Sequence, residues 1–300
     1  MTPLPLIFNP AARGGRGRVP REKLAAVAEA RGYSVELWPT RAPGHAEELA
    51  AKAREMGLPA VAVWGGDGTY NETARGLLNG DTAMLPLPGG TTSVLVYELG
   101  LPRNPIQALA AQLSGAPHRL HLGRTDRGQV FLLMLSAGPD SLILYNLPWV
   151  LKRYAGKVGI TLQAVAEFFR AELPAFEVRY DGVTYPAGWC IVGNGRFYGG
   201  PFPATPGADP FRPGLEAVVQ TRRGRLSAIP FFFAIPFGRH LERKGVVRFA
   251  AWEVSLAGEG RIPYQLDGDP AGFLPVTARA SEDFVPVWLP SGPPVQSFTS

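Results

Sequence analysis

Asp67 stands inside Gly65-Gly66-Asp67-Gly68-Thr69, after the apolar run VAVW and before the helical pattern of NETARGLL. Glycines leave the N–H groups of a helix N-terminus uncovered, and those groups together with the helix dipole favour a phosphate. A carboxylate beside a bound phosphate is repelled unless a cation accompanies it. Mg²⁺ held by Asp67, directly or through water, against phosphate oxygens resolves the conflict. The residues alone leave a plainer arrangement open, a tight turn with Asp67 capping the helix that follows. Gly66 is expected to keep the phosphate approach clear and to take any positive φ the turn needs.

A second loop repeats the arrangement. Residues 86–102, PLPGGTTSVLVYELGLP, read as a strand end, then Gly89-Gly90-Thr91-Thr92, then a helix. Two such loops at the carboxyl ends of strands in one sheet could flank a ligand crevice. A third candidate follows the first apolar run: Asn9, then glycines interleaved with Arg13, Arg16 and Arg18. The lysine of a Walker loop and the GxGxxG fingerprint are both missing, so any phosphate binding is of another kind. Arginines 13, 16, 18 and 21 lack aromatic interleaving, which favours nucleotide phosphate over nucleic acid as their partner.

These loops need a sheet to carry them. Apolar runs at LPLIF, YSVELWP, AVAVWG and AMLPLP alternate with helical patterns at EKLAAVAEARG, GHAEELAAKAREMG and NETARGLLNG. That alternation predicts a three-layer α/β/α domain with a mostly parallel sheet over residues 1–117. From 118 to 300 the pattern changes to strands and hairpins with glycine turns, predicting a β-sandwich-like domain. A helical insertion at residues 149–173, WVLKRYAGKVGITLQAVAEFFRAEL, interrupts it, with Lys152, Arg153 and Lys157 outward. The C-terminal segment is expected to return to the first domain.

Three hundred residues exceed one usual core, consistent with two domains. Cys190 is the only cysteine, which excludes an intrachain disulfide, and it lies in an apolar strand suited to a core position. Residues 1–8 carry no basic leader, and no apolar run approaches a membrane span, so a cytoplasmic protein is expected, peripheral at most to the inner face of a membrane. The net charge of +5 fits an anionic ligand, an anionic membrane surface or nucleic acid equally well. The four histidines, at 45, 118, 121 and 240, show no metal-ligand spacing. Residues 228–245, AIPFFFAIPFGRHLERKG, set apolar residues before Arg239, His240, Arg243 and Lys244. The expectation there is a buried strand or helix. Docking on an anionic bilayer is the alternative.

In order along nearly the whole chain stand NP with a glycine-rich turn, Thr40 before a helix, GGDGT with NE, and PGGTT ending in LGLP. LKRYAGKVG, IVGNGRFYGG, PGAD with GLE, and QLDGDP follow. This order resembles the diacylglycerol kinase and sphingosine kinase superfamily, most closely its bacterial lipid kinases. The resemblance implies an α/β nucleotide-binding domain, a β-sandwich domain, and ATP- and Mg²⁺-dependent phosphorylation of a lipid hydroxyl. It implies that Gly65, Gly66, Gly68 and Thr69 cradle ATP phosphates, that Asp67 positions Mg²⁺, and that Asn9, Thr40, Gly90, Thr91 and Thr92 contact the nucleotide. Glu72 is expected to brace the loop. The implied partner is a diacylglycerol-like lipid at an anionic membrane surface, with no nucleic acid, and a homodimer is admitted.

The chain departs from the family's pattern at four acidic positions. Thr91-Thr92-Ser93-Val94 puts valine where an aspartate is expected, and His121 aligns with an aspartate. Pro213-Gly214 replaces an Asp-Gly pair linked to a structural metal site. Asp267-Gly268-Asp269 replaces Asp-Gly-Glu, so Asp269, the implied general base, is one methylene shorter. Phosphoryl transfer rests on position and charge, so these losses bear on turnover. An active lipid kinase is the first reading. A nucleotide- or lipid-binding protein without turnover and a kinase of a soluble hydroxyl compound are the others.

Overall fold

The computed structural model describes residues 1–10, 20–90, 92–146, 168 and 175–291. Thr91, Arg13, Arg16, Arg18 and, apart from Phe168, the expected helical insertion with Lys152, Arg153 and Lys157 lie outside the described residues. The chain divides into two compact units, one of residues 1–121 with 282–300, the other of residues 122–281.

In the first unit, β1 (Thr2–Phe8), α1 (Arg21–Glu29), β2 (Tyr33–Pro39), α2 (His45–Glu55), β3 (Ala60–Gly65), α3 (Asp67–Leu77) and β4 (Ala83–Pro88) alternate as the sequence pattern predicts. The strands are parallel in the order β2-β1-β3-β4. Leu4, Leu6, Ala60, Ala62, Trp64, Leu85 and Leu87 form one core with Leu24 and Ala28 of α1, while α2 and α3 pack on β1, β3 and β4. Every residue of β3 is buried, because helices cover both faces of the sheet, and that is why AVAVWG reads as a continuous apolar run.

Gly76 of α3 lies where a Cβ would stand 2.3 Å from the Glu47 carbonyl oxygen of α2, so only glycine permits this approach. The Arg75 guanidinium pairs with Glu47 at 2.7 Å across the same contact. After the short helix α4 (Val94–Glu98) comes α5 (Pro105–Gln112), a helix the alternation of apolar runs did not reveal. Its signal is local: the Asn104 side chain accepts the N–H of Ile106 at 2.9 Å, and proline opens the first turn.

The chain continues through β5 (Ala116–Thr125), β6 (Val130–Phe131), β7 (Met134–Ala137), α6 (Pro139–Asn146), β8 (Phe176–Tyr180), β9 (Val183–Ala187) and β10 (Trp189–Gly193). After the two-residue strands β11 (Phe197–Tyr198) and β12 (Phe202–Pro203) come β13 (Leu215–Gln220), α7 (Arg225–Ala234), β14 (Val246–Ala251), β15 (Glu253–Ala257), β16 (Pro263–Leu266), β17 (Asp269–Phe273) and β18 (Val276–Leu289). One antiparallel layer of the second unit runs β14-β13-β10-β7-β16-β17. The other is formed by the first part of β18 with β15, β8 and β9. Leu135, Val192, Ala217 and Tyr264 of the first layer share a core with Val178, Val254, Leu256 and Val276 of the second, which makes the unit β-sandwich-like. Cys190 is fully buried in it, and burial pushes its thiol pKa up, away from nucleophile behaviour.

The segment 228–245 corrects an expectation. It is not buried throughout: α7 and two 3₁₀ turns leave Phe232, Phe233 and Phe237 exposed, and only Ala228, Phe231, Ala234, Ile235 and His240 anchor inward. Pro230 lies inside α7 and Pro236 just beyond its end, and because a helix turns about 100° per residue, three consecutive phenylalanines cannot all face the core. His240 is no surface cation. It is fully buried, with Nε2 2.8 Å from the Ala204 carbonyl, and burial lowers its pKa.

Candidate active site

The parallel register lines up the carboxyl ends of four strands. Phe8 stands opposite Pro39 and Trp64, and Gly65 stands opposite Pro88. Asn9, Thr40, the Gly66-Asp67 turn and the Gly89-Gly90 turn therefore leave adjacent strands at one edge, where open α/β sheets bind ligands. The Thr40 N–H donates to the Phe8 carbonyl at 2.8 Å, fixing the first of these strand ends to the second.

The two glycine loops are built into one another. The Gly89 and Gly90 N–H groups donate to the Gly65 carbonyl at 2.9 and 2.7 Å. The buried Tyr70 hydroxyl lies 2.9 Å from that carbonyl and 2.7 Å from the Leu87 carbonyl. A Cβ on Gly90 would stand 2.6 Å from the Gly66 Cα, so these two glycines let the loops touch backbone to backbone. Gly66 does not take the positive φ expected of it: its φ is −117°, extended backbone ahead of α3. Gly68 and Thr69 fall in the first turn of α3, with Gly68 exposed.

Asp67 opens α3 but does not cap it. Its Oδ1 accepts the Leu95 N–H at 3.0 Å and its Oδ2 the Thr92 hydroxyl at 3.4 Å, so the carboxylate closes the other loop, at the start of α4. Burial pushes its pKa up, and the N–H groups of Val94 and Leu95 with the Thr92 hydroxyl oppose that rise. Ser93 supports the bend with a positive φ of 50°. Glu72 reaches away from the loops and accepts the Ala46 N–H at 3.2 Å, bracing α3 against the first turn of α2.

The second unit presents Asp269 at the end of a two-residue hairpin. Leu266 pairs with Asp269, and Asp267 and Gly268 between them have φ of 50° and 90°, a geometry suited to a type I′ turn. The Asp267 carboxylate accepts three backbone N–H groups, of Leu132 at 2.7 Å, Leu133 at 2.8 Å and Met134 at 2.9 Å. It is a clamp. Asp269 is exposed at the first position of β17.

Beneath this turn lies a group that sequence reasoning missed. Asp140 is buried in the first turn of α6, and its Oδ2 accepts the Tyr198 hydroxyl at 2.9 Å. Burial pushes its pKa up, against hydrogen bonds that include the Gln265 side chain. Gln265 Oε1 also accepts the Gly268 N–H at 2.7 Å, so Asp140 is tied through one amide to the turn that carries Asp269. The signal available was Gly138-Pro139-Asp140-Ser141 directly after an apolar strand, an acidic residue at a helix start.

Among the described residues no three His, Cys, Asp or Glu side chains group to hold a metal. Mg²⁺ needs no such cage, since it takes one or two carboxylates with water and substrate phosphates for the rest of its shell. The Asp67 carboxylate fits that requirement. Val94, one of the substituted acidic positions, is buried at the start of α4.

Residues 3–125 match the model of the Diacylglycerol kinase catalytic domain, and residues 144–289 that of the YegS C-terminal NAD kinase beta sandwich-like domain. The chain belongs to the diacylglycerol kinase superfamily. Within this lipid kinase family it is 24% identical over 279 residues to the diacylglycerol kinase of Bacillus subtilis (strain 168), a match covering 90% of each chain. It is 31% identical over 186 residues to a Chromohalobacter salexigens protein named "Probable lipid kinase YegS-like", covering 60% of this chain and 59% of that one. A crystal structure of a diacylglycerol kinase from Bacillus anthracis str. Sterne superposes with a TM-score of 0.68 at 20% identity, covering 96% of this chain and 97% of that one. Another structure from the same organism reaches 0.78 at 22% identity, covering 96% and 95%. At those identities the superposition carries the fold: an α/β unit with a parallel sheet and a β-sandwich-like unit, as the sequence pattern predicts.

Proposed function

We propose that this superfamily member is an ATP- and Mg²⁺-dependent kinase that phosphorylates a hydroxyl of a diacylglycerol-like lipid at a membrane surface. The observation that carries the reading is the interlocked pair of glycine loops at the carboxyl edge of the parallel sheet, with Asp67 between them. Asn9, Thr40, Gly65, Gly66, Gly68, Thr69, Gly90, Thr91 and Thr92 are assigned to the nucleotide. The Asp67 carboxylate would hold Mg²⁺, with Oδ1 kept in place by the Leu95 N–H. When bound, Mg²⁺ neutralises charge on the phosphate oxygens. Asp269 accepts the proton of the attacking hydroxyl, and the Asp267 clamp with the Gln265–Asp140 link holds its turn in place.

The deciding experiment incubates the pure protein with labelled ATP, Mg²⁺ and a panel of lipids and soluble alcohols. Transfer to a diacylglycerol-like lipid supports the proposal, and transfer to a soluble alcohol alone replaces the acceptor. A second reading, nucleotide binding without turnover, draws on the buried valine at position 94 where the family carries an acid. Nucleotide binding with no transfer to any acceptor establishes that reading instead.

A further inference from the structure

The face of the second unit built from residues 222–244 combines two features that separately would be ordinary. Leu226 is 94% exposed, Phe237 77% and Phe233 65%, with Phe232 half exposed beside them. A soluble surface seldom gathers such side chains within one short stretch. They are rooted, not loose: the Phe232 ring stacks on the buried Trp189 at 6.3 Å between centroids, and Phe233 meets Phe232 edge-on at 5.5 Å.

The same stretch carries a dense cationic cluster. A depression of about 450 Å³ is lined by Arg222, Arg239, Arg243 and Lys244 with Glu242 as its single acid. A neighbouring one of about 240 Å³ joins Arg222, Arg223, Arg243 and Lys244 to the exposed Leu226, so apolar and cationic surface are continuous. Among the described residues, Arg222, Arg223, Arg239, Arg243 and Lys244 enter no ion pair. Five exposed cations against one carboxylate are complementary to a surface of phosphates.

We propose that this face docks the protein on an anionic phospholipid bilayer, with Leu226, Phe232, Phe233 and Phe237 entering the headgroup boundary and the Arg/Lys cluster engaging lipid phosphates. An aromatic and aliphatic ridge beside basic residues is the combination that lies on an anionic interface without crossing it. Among the described residues no helix is long and apolar enough to cross a membrane, so such a face is a means of reaching a lipid. The inference rests on the lipid-substrate reading for its purpose, but its contacts are distinct from the residues assigned to transfer.

The test uses the full chain and sedimentation with vesicles of phosphatidylcholine alone or of phosphatidylcholine with phosphatidylglycerol, at low and high salt. Wild type is expected to bind the anionic vesicles, weakly the neutral ones, and to release in high salt. Arg243→Glu with Lys244→Glu is expected to weaken binding at least ~25-fold, taking about 5-fold per basic charge lost. Phe233→Ser with Phe237→Ser is expected to abolish insertion while the melting temperature holds, because both rings are exposed. Transfer to a lipid acceptor in neutral detergent micelles is measured for all variants. Unchanged micellar activity with lost vesicle binding supports the docking face. Vesicle binding that survives both double variants, wild type that ignores anionic vesicles, or a dimer dissolved by the phenylalanine variant overturns it. Absent micellar transfer with the expected vesicle pattern removes the kinase reading and leaves the docking face standing.

Discussion

The Leu95 N–H donates to Oδ1 of Asp67 at 3.0 Å, so the one carboxylate of the first glycine loop also closes the second. Two demands meet on this side chain, a structural one on its acceptor oxygen and a chemical one on its charge.

Substitution separates the two. Asp67→Ala strands a buried N–H and is expected to cost about 1–3 kcal/mol of stability. Asp67→Asn keeps an acceptor and removes the charge, so its melting temperature should stay near wild type while Mg²⁺-dependent kcat/KM falls at least ~100-fold. Because burial raises the Asp67 pKa, a proton competes with Mg²⁺ at higher pH than for an ordinary carboxylate, and apparent Mg²⁺ affinity should weaken as pH falls. Thermal melts with a Mg²⁺ titration at several pH values check all three. Full activity in the Asn variant would remove the metal role.

Asp267 is expected to matter for stability before chemistry. Removing an acceptor of three N–H groups in Asp267→Ala should cost about 3 kcal/mol or more, seen as a melting temperature lowered by roughly 10 °C. Asp267→Asn tolerates the positive φ and keeps one acceptor, so an intermediate melt is expected. A melt equal to that of wild type in both variants would refute the clamp.

Asp269→Asn is expected to lower kcat by about 100-fold to 10,000-fold with ATP affinity unchanged, the range for losing a general base. Asp269→Glu is the finer measurement. It lengthens the side chain by roughly 1 Å, a displacement on the scale that changes rates ~100-fold. A gain reports a site weakened by the shorter acid, and a loss reports one fitted to aspartate. Turnover indifferent to both substitutions would assign the proton elsewhere.

Asp140 should give stability a distinct pH dependence. Burial raises its folded pKa above the ordinary carboxylate range, so the native state holds the proton more tightly than the unfolded chain. That contribution is full below the unfolded pKa and lost as pH rises through the folded one. Asp140→Asn, which still accepts from Tyr198, removes the ionisation. Its melting temperature relative to wild type should therefore climb as pH rises from about 4, the unfolded carboxyl range, through the raised folded pKa. A constant offset across that range would show that Asp140 does not titrate in the native state.

The sequence by itself determined the layout of the first unit and the location of its loops. Each buried parallel strand must be a short apolar run, and each ends in glycine, asparagine or threonine, so AVAVWG and AMLPLP announced both strand and loop. The Asp267-Gly268 pair likewise carried its hairpin, because few residues accept two successive positive φ values. Helices α5 and α6 were harder to read. Their signal lies in capping residues, Asn104 with Pro105 and Pro139 with Asp140, while their apolar content merges with that of neighbouring strands.

Only tertiary structure decided which partner each polar group meets. Asp67 could have capped its own helix, yet its carboxylate turns to Leu95, a residue 28 positions on that the β3–β4 register brings alongside. Asp140 became visible as a partner of Tyr198 and Gln265 only once three separate segments packed together. The phenylalanines of 231–233 read as core by composition. A helix turns about 100° per residue, so consecutive rings cannot share one face, and packing kept Phe231 and left Phe232 and Phe233 outside.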